Sequence, residues 1–319
     1  MTTSEPKSRP QGLGRHPWRT ALRTAAVLTG VGATGWLIGL VWPEPDQVAA
    51  GASPTLDNPA SLAAHPGDAV TLLLVGIDAD QVGDPSNGAA PAGPANADAL
   101  MLVRIDPSRS LELLQLPTEL AVLSPGSSSA TSLAGLWRDG GVQLLTDAIR
   151  EIVGLDEGHP QRFAVVPRAA LRELVDRLGS VDLVLKQSYD LDDRSQDYRV
   201  KLEAGRQNLN GSEAEQLVRY RQNPNDNPGR RERQQLLIRA LVAQVQAPEG
   251  ISLLPGMLGA VTPLLETNLS QGELLSLVAA ALASPEPLQI RQLVLADRPG
   301  DKPLRQLRPG QSLPLWPPS

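Results

Sequence analysis

The feature that most constrains this chain is an uncharged apolar run of 19 residues, from Thr24 to Trp42. At the helical rise of about 1.5 Å per residue, a run of this length crosses the roughly 30 Å hydrocarbon layer of a bilayer. Arginines precede it at positions 15, 19 and 23, and Pro43 and Glu44 follow it. Since basic flanks stay in the cytosol, the sequence predicts a single-pass membrane protein whose C-terminal domain lies outside the cytosol.

The charge distribution agrees with this orientation. Residues 1–42 contain five basic and one acidic side chain, whereas the whole chain has a net charge of −6, so the remainder has a net charge of −10. A cleaved signal peptide is the alternative, because the small residues Ala50, Gly51 and Ala52 would suit a cleavage site. The length of the apolar run favours an anchor that is retained.

The remaining sequence divides by composition. We predict a cytoplasmic tail over residues 1–23, a transmembrane anchor over 24–42, a Pro/Ala/Gly-rich tether over 43–68, one folded domain over 69–297 and a Pro-rich tail over 298–319. Within the domain, apolar runs of strand length alternate with helical patterns. The predicted strands cover 70–77, 99–105, 110–116, 162–166, 181–185 and 288–295, and the predicted helices cover 141–153, 168–178, 213–220, 230–245 and 271–282. This alternation predicts an α/β fold with a mixed β-sheet sandwiched between helices.

Composition excludes several kinds of site. The chain has no Cys and only three His, which are far apart in sequence, so thiolate and His-ligated metal sites are not expected. Any metal must therefore be a hard cation with oxygen ligands. Aromatic residues make up only 3% of the chain, which does not favour the stacking platforms that bind single-stranded nucleic acid. We expect no nucleic-acid partner.

Two carboxylates stand at strand ends. Asp78 follows the first predicted strand, and Asp98 precedes the second. Open α/β sheets bind ligands at such ends, and two carboxylates from neighbouring strands suit Mg²⁺, which often shares its oxygen ligands with phosphates. The alternative is that both residues only terminate strands or shape turns, as Asp commonly does.

A basic cluster lies later in the chain. Five arginines fall within fifteen residues: Arg219, Arg221, Arg230, Arg231 and Arg233. Asp226 and Glu232 reduce the net charge of this segment to +3. Gln234 follows Arg230 by one helical turn, so both lie on one face of a helix. The planar guanidinium group matches phosphate oxygens, which predicts a phosphate site; a solvated charged surface is the alternative.

The order of these elements resembles the LytR-CpsA-Psr family of membrane-anchored envelope glycan phosphotransferases. The resemblance runs in order over about residues 70–297, and its most informative segments are LLLVGID (72–78), NADALMLVRIDP (96–107), LNGSEAEQLVRYR (209–221) and GRRERQQLLIRAL (229–241). It implies a hydrophobic pocket that binds a polyprenyl chain beside a polar site that binds its pyrophosphate. It also implies Mg²⁺-assisted transfer of a phosphoglycan from that carrier to a hydroxyl of peptidoglycan or another envelope acceptor.

The resemblance assigns roles to individual residues. Asp78 and Asp98 match the family's Mg²⁺ ligands, and Asp98, Arg219 and Arg221 match its catalytic residues. The residues that match its pyrophosphate-binding positions are Arg219, Arg221, Arg230, Arg233 and Gln234.

Three arginines of the family pattern are replaced in this chain. Asp80 stands where an arginine follows the first strand, Asn96 replaces an arginine before Asp98, and Thr118 replaces one in the segment Pro117-Thr118-Glu119. Each loss removes a charge-assisted contact, which contributes about 1.5–3 kcal/mol. Two hypotheses therefore stay open: a phosphotransferase, or a non-catalytic protein that binds polyprenyl pyrophosphate.

Overall fold

The computed structural model describes residues 63–84, 95–106, 109, 111–193, 198–223, 226–284, 287–297 and 303–316. The predicted cytoplasmic tail (1–23), the transmembrane anchor (24–42) and most of the tether lie outside these ranges. None of the helices within the described ranges combines the length and apolarity needed to cross a bilayer. The membrane anchor and the location outside the cytosol therefore stay predictions.

The domain is built on a mixed sheet, as the sequence predicts, and the sheet has six strands. Its strands, in spatial order, are β11 (Glu266–Thr267), β6 (Arg162–Val166), β1 (Val70–Ile77), β2 (Ala97–Ile105), β3 (Glu112–Leu116) and β12 (Gln289–Gln292). The central strand β1 pairs antiparallel with β2 and parallel with β6. The predicted closing strand over 288–295 is observed as the shorter β12, which runs parallel to β3.

Helices cover both faces of this sheet. They are α1 (Leu133–Val153), α2 (Arg168–Arg177), α3 (Gly211–Arg219), α4 (Asn227–Val245), α5 (Pro248–Val261) and α6 (Gln271–Leu282). Leu73 and Leu102 point to one face and pack with α1, whereas Leu72 and Met101 point to the other and pack with α6. Successive residues of a strand face opposite sides, so the unbroken apolar run of β1 fills two cores. The sandwich architecture is thereby confirmed.

Local capping explains where two of the helices begin. Asn210 and Glu213 form a capping box at α3, and Ser270 and Glu273 form the predicted one at α6. Helix α1 begins eight residues before its predicted start at residue 141. The Ser132 side chain caps its first turn, and Gly141, with φ of 61°, interrupts it. The helix predicted over residues 141–153 is therefore only the part after this interruption.

Three pairs of strands lie outside the main sheet, and none of these pairings was predicted. They are β4 (Ala121–Leu123) with β5 (Ala130–Ser132), β7 (Val181–Leu185) with β10 (Gly205–Leu209), and β8 (Tyr189–Asp193) with β9 (Tyr198–Leu202). Of these, only β7 was predicted, because it is apolar. Strands such as β8, with the sequence YDLDD, are too polar to show a buried face.

The folded unit extends beyond the predicted boundary at residue 297. Within the predicted Pro-rich tail, the Arg305 carbonyl accepts a hydrogen bond from Ala121 N (2.7 Å), and Leu315 N donates one to the Val153 carbonyl (2.7 Å). Trp316 is fully buried in the core beside α1. The described part of the tail, residues 303–316, packs over the domain as a C-terminal strap that contains isolated β-bridges but no strand or helix.

Candidate functional site

The two predicted acidic residues come together where β1 ends and β2 begins. Asp78 N donates to the Asn96 carbonyl (3.1 Å), and the Asp78 carboxylate accepts hydrogen bonds from Asn96 N (2.6 Å) and Asn96 Nδ2 (3.0 Å). Asp78 is only 5% exposed. Burial raises the pKa of Asp78, although the Asn96 hydrogen bonds oppose this, and the neighbouring charge of Asp98 raises it further. The hydrogen bond between Asp78 and Asn96 extends the antiparallel pairing of β1 and β2, and the Asp98 charge is near enough to act on Asp78.

Asp98 is bound by two of the predicted arginines. Its Oδ1 atom accepts hydrogen bonds from Arg230 Nη1 (2.6 Å) and Arg221 Nη2 (3.3 Å). Burial alone would raise the pKa of Asp98, but the charges of Arg230 and Arg221 outweigh it and lower that pKa. Asp98 is therefore an ionised carboxylate at neutral pH, beside an Asp78 that is harder to ionise.

Helix α4 contributes a buried polar face to this site. Arg230, only 2% exposed, also donates from Nη2 to Thr118 Oγ1 (3.1 Å). Gln234, one turn later, donates to the Asp98 carbonyl (3.3 Å) and accepts from Gln115 Nε2 (3.0 Å). The predicted pair Arg230 and Gln234 therefore does share a face, and that face contacts Asp98.

Arg221 is the most accessible of the cations that bind Asp98. Its side chain is 37% exposed, compared with 2% for Arg230. Its partial burial, and then repulsion by the Arg230 charge, lower the pKa of Arg221. Two guanidinium groups share one carboxylate oxygen here, and the charges of Asp98, Glu119 and Asp78 all act on Arg221. An anion that approached from solvent would meet this residue.

Arg219 is fixed by its own helix and by an aromatic ring. Its Nη1 atom donates to Glu215 Oε1 (2.8 Å), and its Cζ atom lies 4.3 Å from the centre of the Tyr198 ring. Burial raises the pKa of Asp78, and the charges of Arg230 and Arg221 lower that of Asp98; the charge of Arg219 has a smaller lowering effect on both. Arg219 is thus close enough to both predicted metal ligands for its field to act on them.

Arg233 makes different contacts from the other predicted phosphate ligands. It donates from Nη2 to the Tyr220 carbonyl (2.5 Å) and to Asp226 Oδ2 (2.9 Å). Its Cζ atom lies 5.0 Å from the ring centre of Tyr220 and 5.4 Å from that of Tyr189. In this structure Arg233 ties α4 to the segment after α3, and its binding of pyrophosphate stays a prediction.

The positions that depart from the family pattern have partners within the domain. Asp80 forms ion pairs with Arg168 (3.0 Å) and Arg172 (2.6 Å), and Glu119 accepts two hydrogen bonds from Arg231 (2.7 and 3.0 Å). Four polar residues of this region were not predicted from the sequence as site residues: Gln115, Arg168, Arg172 and Glu215. The i, i+4 spacing of Arg168 with Arg172, and of Glu215 with Arg219, was the only signal available.

The residues predicted to bind Mg²⁺ are the carboxylates of Asp78 and Asp98. Within the described ranges, no three Asp, Glu or His side chains form a group that could hold a metal ion. The charge of Asp98 nevertheless raises the pKa of Asp78, so a cation held by these two carboxylates would relieve their repulsion. One or two carboxylates plus substrate phosphates are a common ligand set for Mg²⁺, so this pair fits the predicted ion.

Most of the chain matches one known protein family. The family model described as the LytR_cpsA_psr family matches residues 47–299. A curated relative from Enterococcus faecalis, the polyisoprenyl-teichoic acid–peptidoglycan teichoic acid transferase TagU, is 25% identical over 202 residues. A second, the regulatory protein MsrR of Staphylococcus aureus, is 22% identical over 201 residues. The matches cover 63% of this chain but only 61% of TagU and 56% of MsrR.

A solved structure shares the fold. The LytR-Csp2A-Psr enzyme from Actinomyces oris superposes with a TM-score of 0.59 and 18% sequence identity. The superposition covers 77% of this chain and 88% of that one. At this level of identity the match concerns the fold alone.

Proposed function

The chain belongs to the LytR-CpsA-Psr family, and from this premise we propose that it transfers a phosphoglycan from a polyprenyl-pyrophosphate carrier to a hydroxyl group of peptidoglycan or another envelope polymer. The name of the TagU relative, a teichoic acid transferase that acts on peptidoglycan, supports glycopolymer transfer as the reaction class.

One observation carries the proposal: two arginines share a single carboxylate, and the outer one is accessible. Arg230 and Arg221 both donate to Asp98 Oδ1, and burial, followed by the charge of Arg230, lowers the pKa of Arg221. A pyrophosphate supplies several anionic oxygens that would accept hydrogen bonds from Arg221 and Arg219. Binding of such an anion relieves the repulsion between Arg221 and Arg230.

The same residues suit the chemistry of the transfer. The acceptor hydroxyl oxygen attacks the glycan-linked phosphorus, the bond to the carrier phosphate breaks, and the hydroxyl proton passes to a carboxylate. Phosphoryl transfer depends mainly on positioning and on charge stabilisation, which guanidinium groups provide to the departing polyprenyl phosphate. Asp98 and Asp78 are the candidate proton acceptors. Both would also hold Mg²⁺, which would neutralise pyrophosphate oxygens.

The cellular setting is part of the same proposal. The apolar run 24–42 would anchor the domain and the tether 43–68 would separate it from the bilayer, outside the cytosol. A membrane-linked carrier and an envelope acceptor are then the natural partners. A hydrophobic pocket for the polyprenyl chain is proposed from the family resemblance.

A non-catalytic binding protein is the second candidate. The observation that favours it is the loss of cations near the site: Asp80 and Thr118 stand where the family pattern has arginine, and Thr118 accepts a hydrogen bond from Arg230. Fewer cations would stabilise the transition state less, while Arg219 and Arg221 would still attract a ground-state pyrophosphate.

The test is a transfer assay with the purified full-length protein in detergent. Polyprenyl-pyrophosphate-linked glycan, Mg²⁺ and peptidoglycan are supplied, and released polyprenyl phosphate is measured. We expect turnover that Asp98→Ala and Arg221→Ala reduce at least about 100-fold. Arg206→Ala is the control, because Arg206 lies on β10 with 81% of its side chain exposed. Binding without turnover, while TagU turns over in parallel, would favour the second candidate; no binding would reject both.

A further inference from the structure

We propose that Glu215 is a positioning residue that fixes Arg219 relative to the acidic pair at the end of β1. This inference deepens the proposed function and rests on it for its effect on catalysis. Nothing in the sequence pattern assigns Glu215 a role. Its contacts do, because it is the hub of a network that joins α3, α2 and the end of β1.

Glu215 is a buried carboxylate that accepts hydrogen bonds from three guanidinium groups. It is 6% exposed. Its Oε1 atom accepts from Arg219 Nη1 (2.8 Å) and Arg168 Nη1 (3.0 Å), and its Oε2 atom accepts from Arg172 Nη1. Although burial acts in the opposite direction, the bonds from Arg172 and Arg168 lower the pKa of Glu215. A buried ionised carboxylate of this kind is stable only while its partners stay in place.

The network continues to the segment just after β1, which contains Asp78. Asp80 Oδ2 pairs with Arg168 Nη2 (3.0 Å), and Asp80 Oδ1 pairs with Arg172 Nη2 (2.6 Å). The backbone adds a further link, since Arg168 N donates to the Ala79 carbonyl (2.9 Å). Arg168 and Arg172 therefore bridge two carboxylates, one on α3 and one just after β1. Through them, α3 is fixed against the segment that contains Asp78.

Arg219 is oriented by this network along one edge and by an aromatic ring on its face. Glu215 binds its Nη1 atom, and the Tyr198 ring lies 4.3 Å from its Cζ atom. Tyr198 is itself fixed, because its hydroxyl donates to the Gln216 carbonyl (2.9 Å). A long arginine side chain loses rotamer entropy when it binds a ligand, and these contacts remove that freedom before the ligand arrives.

Asp80 belongs to the same network, because it pairs with Arg168 and Arg172. In the family pattern an arginine stands at this position, and here an acid does. Asp80 offsets part of the positive charge that Arg168 and Arg172 bring to Glu215, so the carboxylate of Glu215 remains available to Arg219. The replacement at position 80 and the glutamate at position 215 thus belong to one charge arrangement.

A ligand-independent measurement tests the positioning directly. Full-length wild-type protein and Glu215→Gln are treated with the arginine reagent phenylglyoxal, and modification is followed peptide by peptide by mass spectrometry. We expect the rate at Arg219 to rise at least about fivefold relative to Arg231, which is bound by Glu119 on another element. An unchanged ratio, or an equal rise at both arginines, would overturn the proposal. Glu273→Gln, which alters the remote pair with Arg162, is the matched control and leaves the ratio unchanged.

A double-mutant cycle tests the catalytic consequence. We expect Glu215→Gln to lower kcat/KM for transfer about tenfold when Arg219 is present, and less than twofold in the Arg219→Ala background. The melting temperature falls in both backgrounds, because Glu215 also binds Arg168 and Arg172. Equal losses of kcat/KM in both backgrounds would contradict action through Arg219. If the modification result holds but the wild type shows no transfer, the positioning stands and the proposed function fails.

Discussion

Arg230 donates a hydrogen bond from Nη1 to Oδ1 of Asp98 over 2.6 Å, although the two residues are 132 positions apart in the chain. The arginine is almost fully buried, whereas the carboxylate is partly exposed. This pair joins the long helix α4 to the start of β2. It also leaves Arg221, which shares the same carboxylate oxygen, as the cation that faces solvent.

The first prediction concerns this pair. We expect Arg230→Gln to lower the free energy of unfolding by about 3 kcal/mol, because it leaves the Asp98 carboxylate without its closest cation. Chemical denaturation of the full-length protein measures the change. Adding Asp98→Asn should recover part of the stability, since the unpaired charge is then removed as well, but should not recover transfer. A double variant less stable than Arg230→Gln would contradict this.

The second prediction concerns Asp78 and pH. Because burial raises the pKa of Asp78 in the folded state, its ionised form at neutral pH opposes folding. We expect Asp78→Asn to raise the melting temperature by about 2–4 °C at pH 7. The gain should shrink as the pH falls toward 3.8, the ordinary pKa of the carboxyl group, where the wild type is also protonated. Transfer should be lost. A gain that is independent of pH would show that charge is not its cause.

The third prediction separates two roles for Arg233. If it braces the segment after α3, Asp226→Asn weakens that brace and lowers affinity for inorganic pyrophosphate about threefold to tenfold. If Arg233 instead binds pyrophosphate directly, removal of the Asp226 charge releases it and raises the affinity. Isothermal titration of the full-length variants decides between these results. The contacts in this structure predict the loss.

The fourth prediction concerns the C-terminal strap, residues 303–316. Because the Trp316 side chain is fully buried, Trp316→Ala should lower the free energy of unfolding by about 3–5 kcal/mol. Leu313→Ala is the matched control: Leu313 is 61% exposed, and its truncation should change stability by less than about 0.5 kcal/mol. Equal effects of the two substitutions would contradict the packing of the strap.

Sequence patterns sufficed where apolar residues recur regularly. The run of β1, the spacing in α4 and the capping box of α6 each predict an element that the structure contains. They failed where a segment packs without periodicity. The strap around Trp316 is an example, since one buried aromatic residue in a Pro-rich stretch gives no repeating signal.

The candidate site was predictable only in part, for a physical reason. Asp78, Asp98 and the arginines could be named from residue type and family resemblance, but their pairing depends on distant segments. Glu215 was missed because a glutamate within a helix normally faces solvent. Gln115 was missed because its partner Gln234 lies 119 residues away. A buried polar residue needs hydrogen-bond partners, and when these are distant in the chain its burial cannot be recognised from the local sequence.

The most direct test of the account is the affinity of the full-length protein for a soluble short-chain prenyl pyrophosphate. Titration calorimetry compares the wild type with Arg221→Ala and with the exposed control Arg206→Ala. We expect Arg221→Ala to weaken binding about 10-fold to 100-fold, the equivalent of one charge-assisted hydrogen bond, and Arg206→Ala to change it less than twofold. Equal affinity in wild type and Arg221→Ala, or no binding by the wild type, would contradict the account.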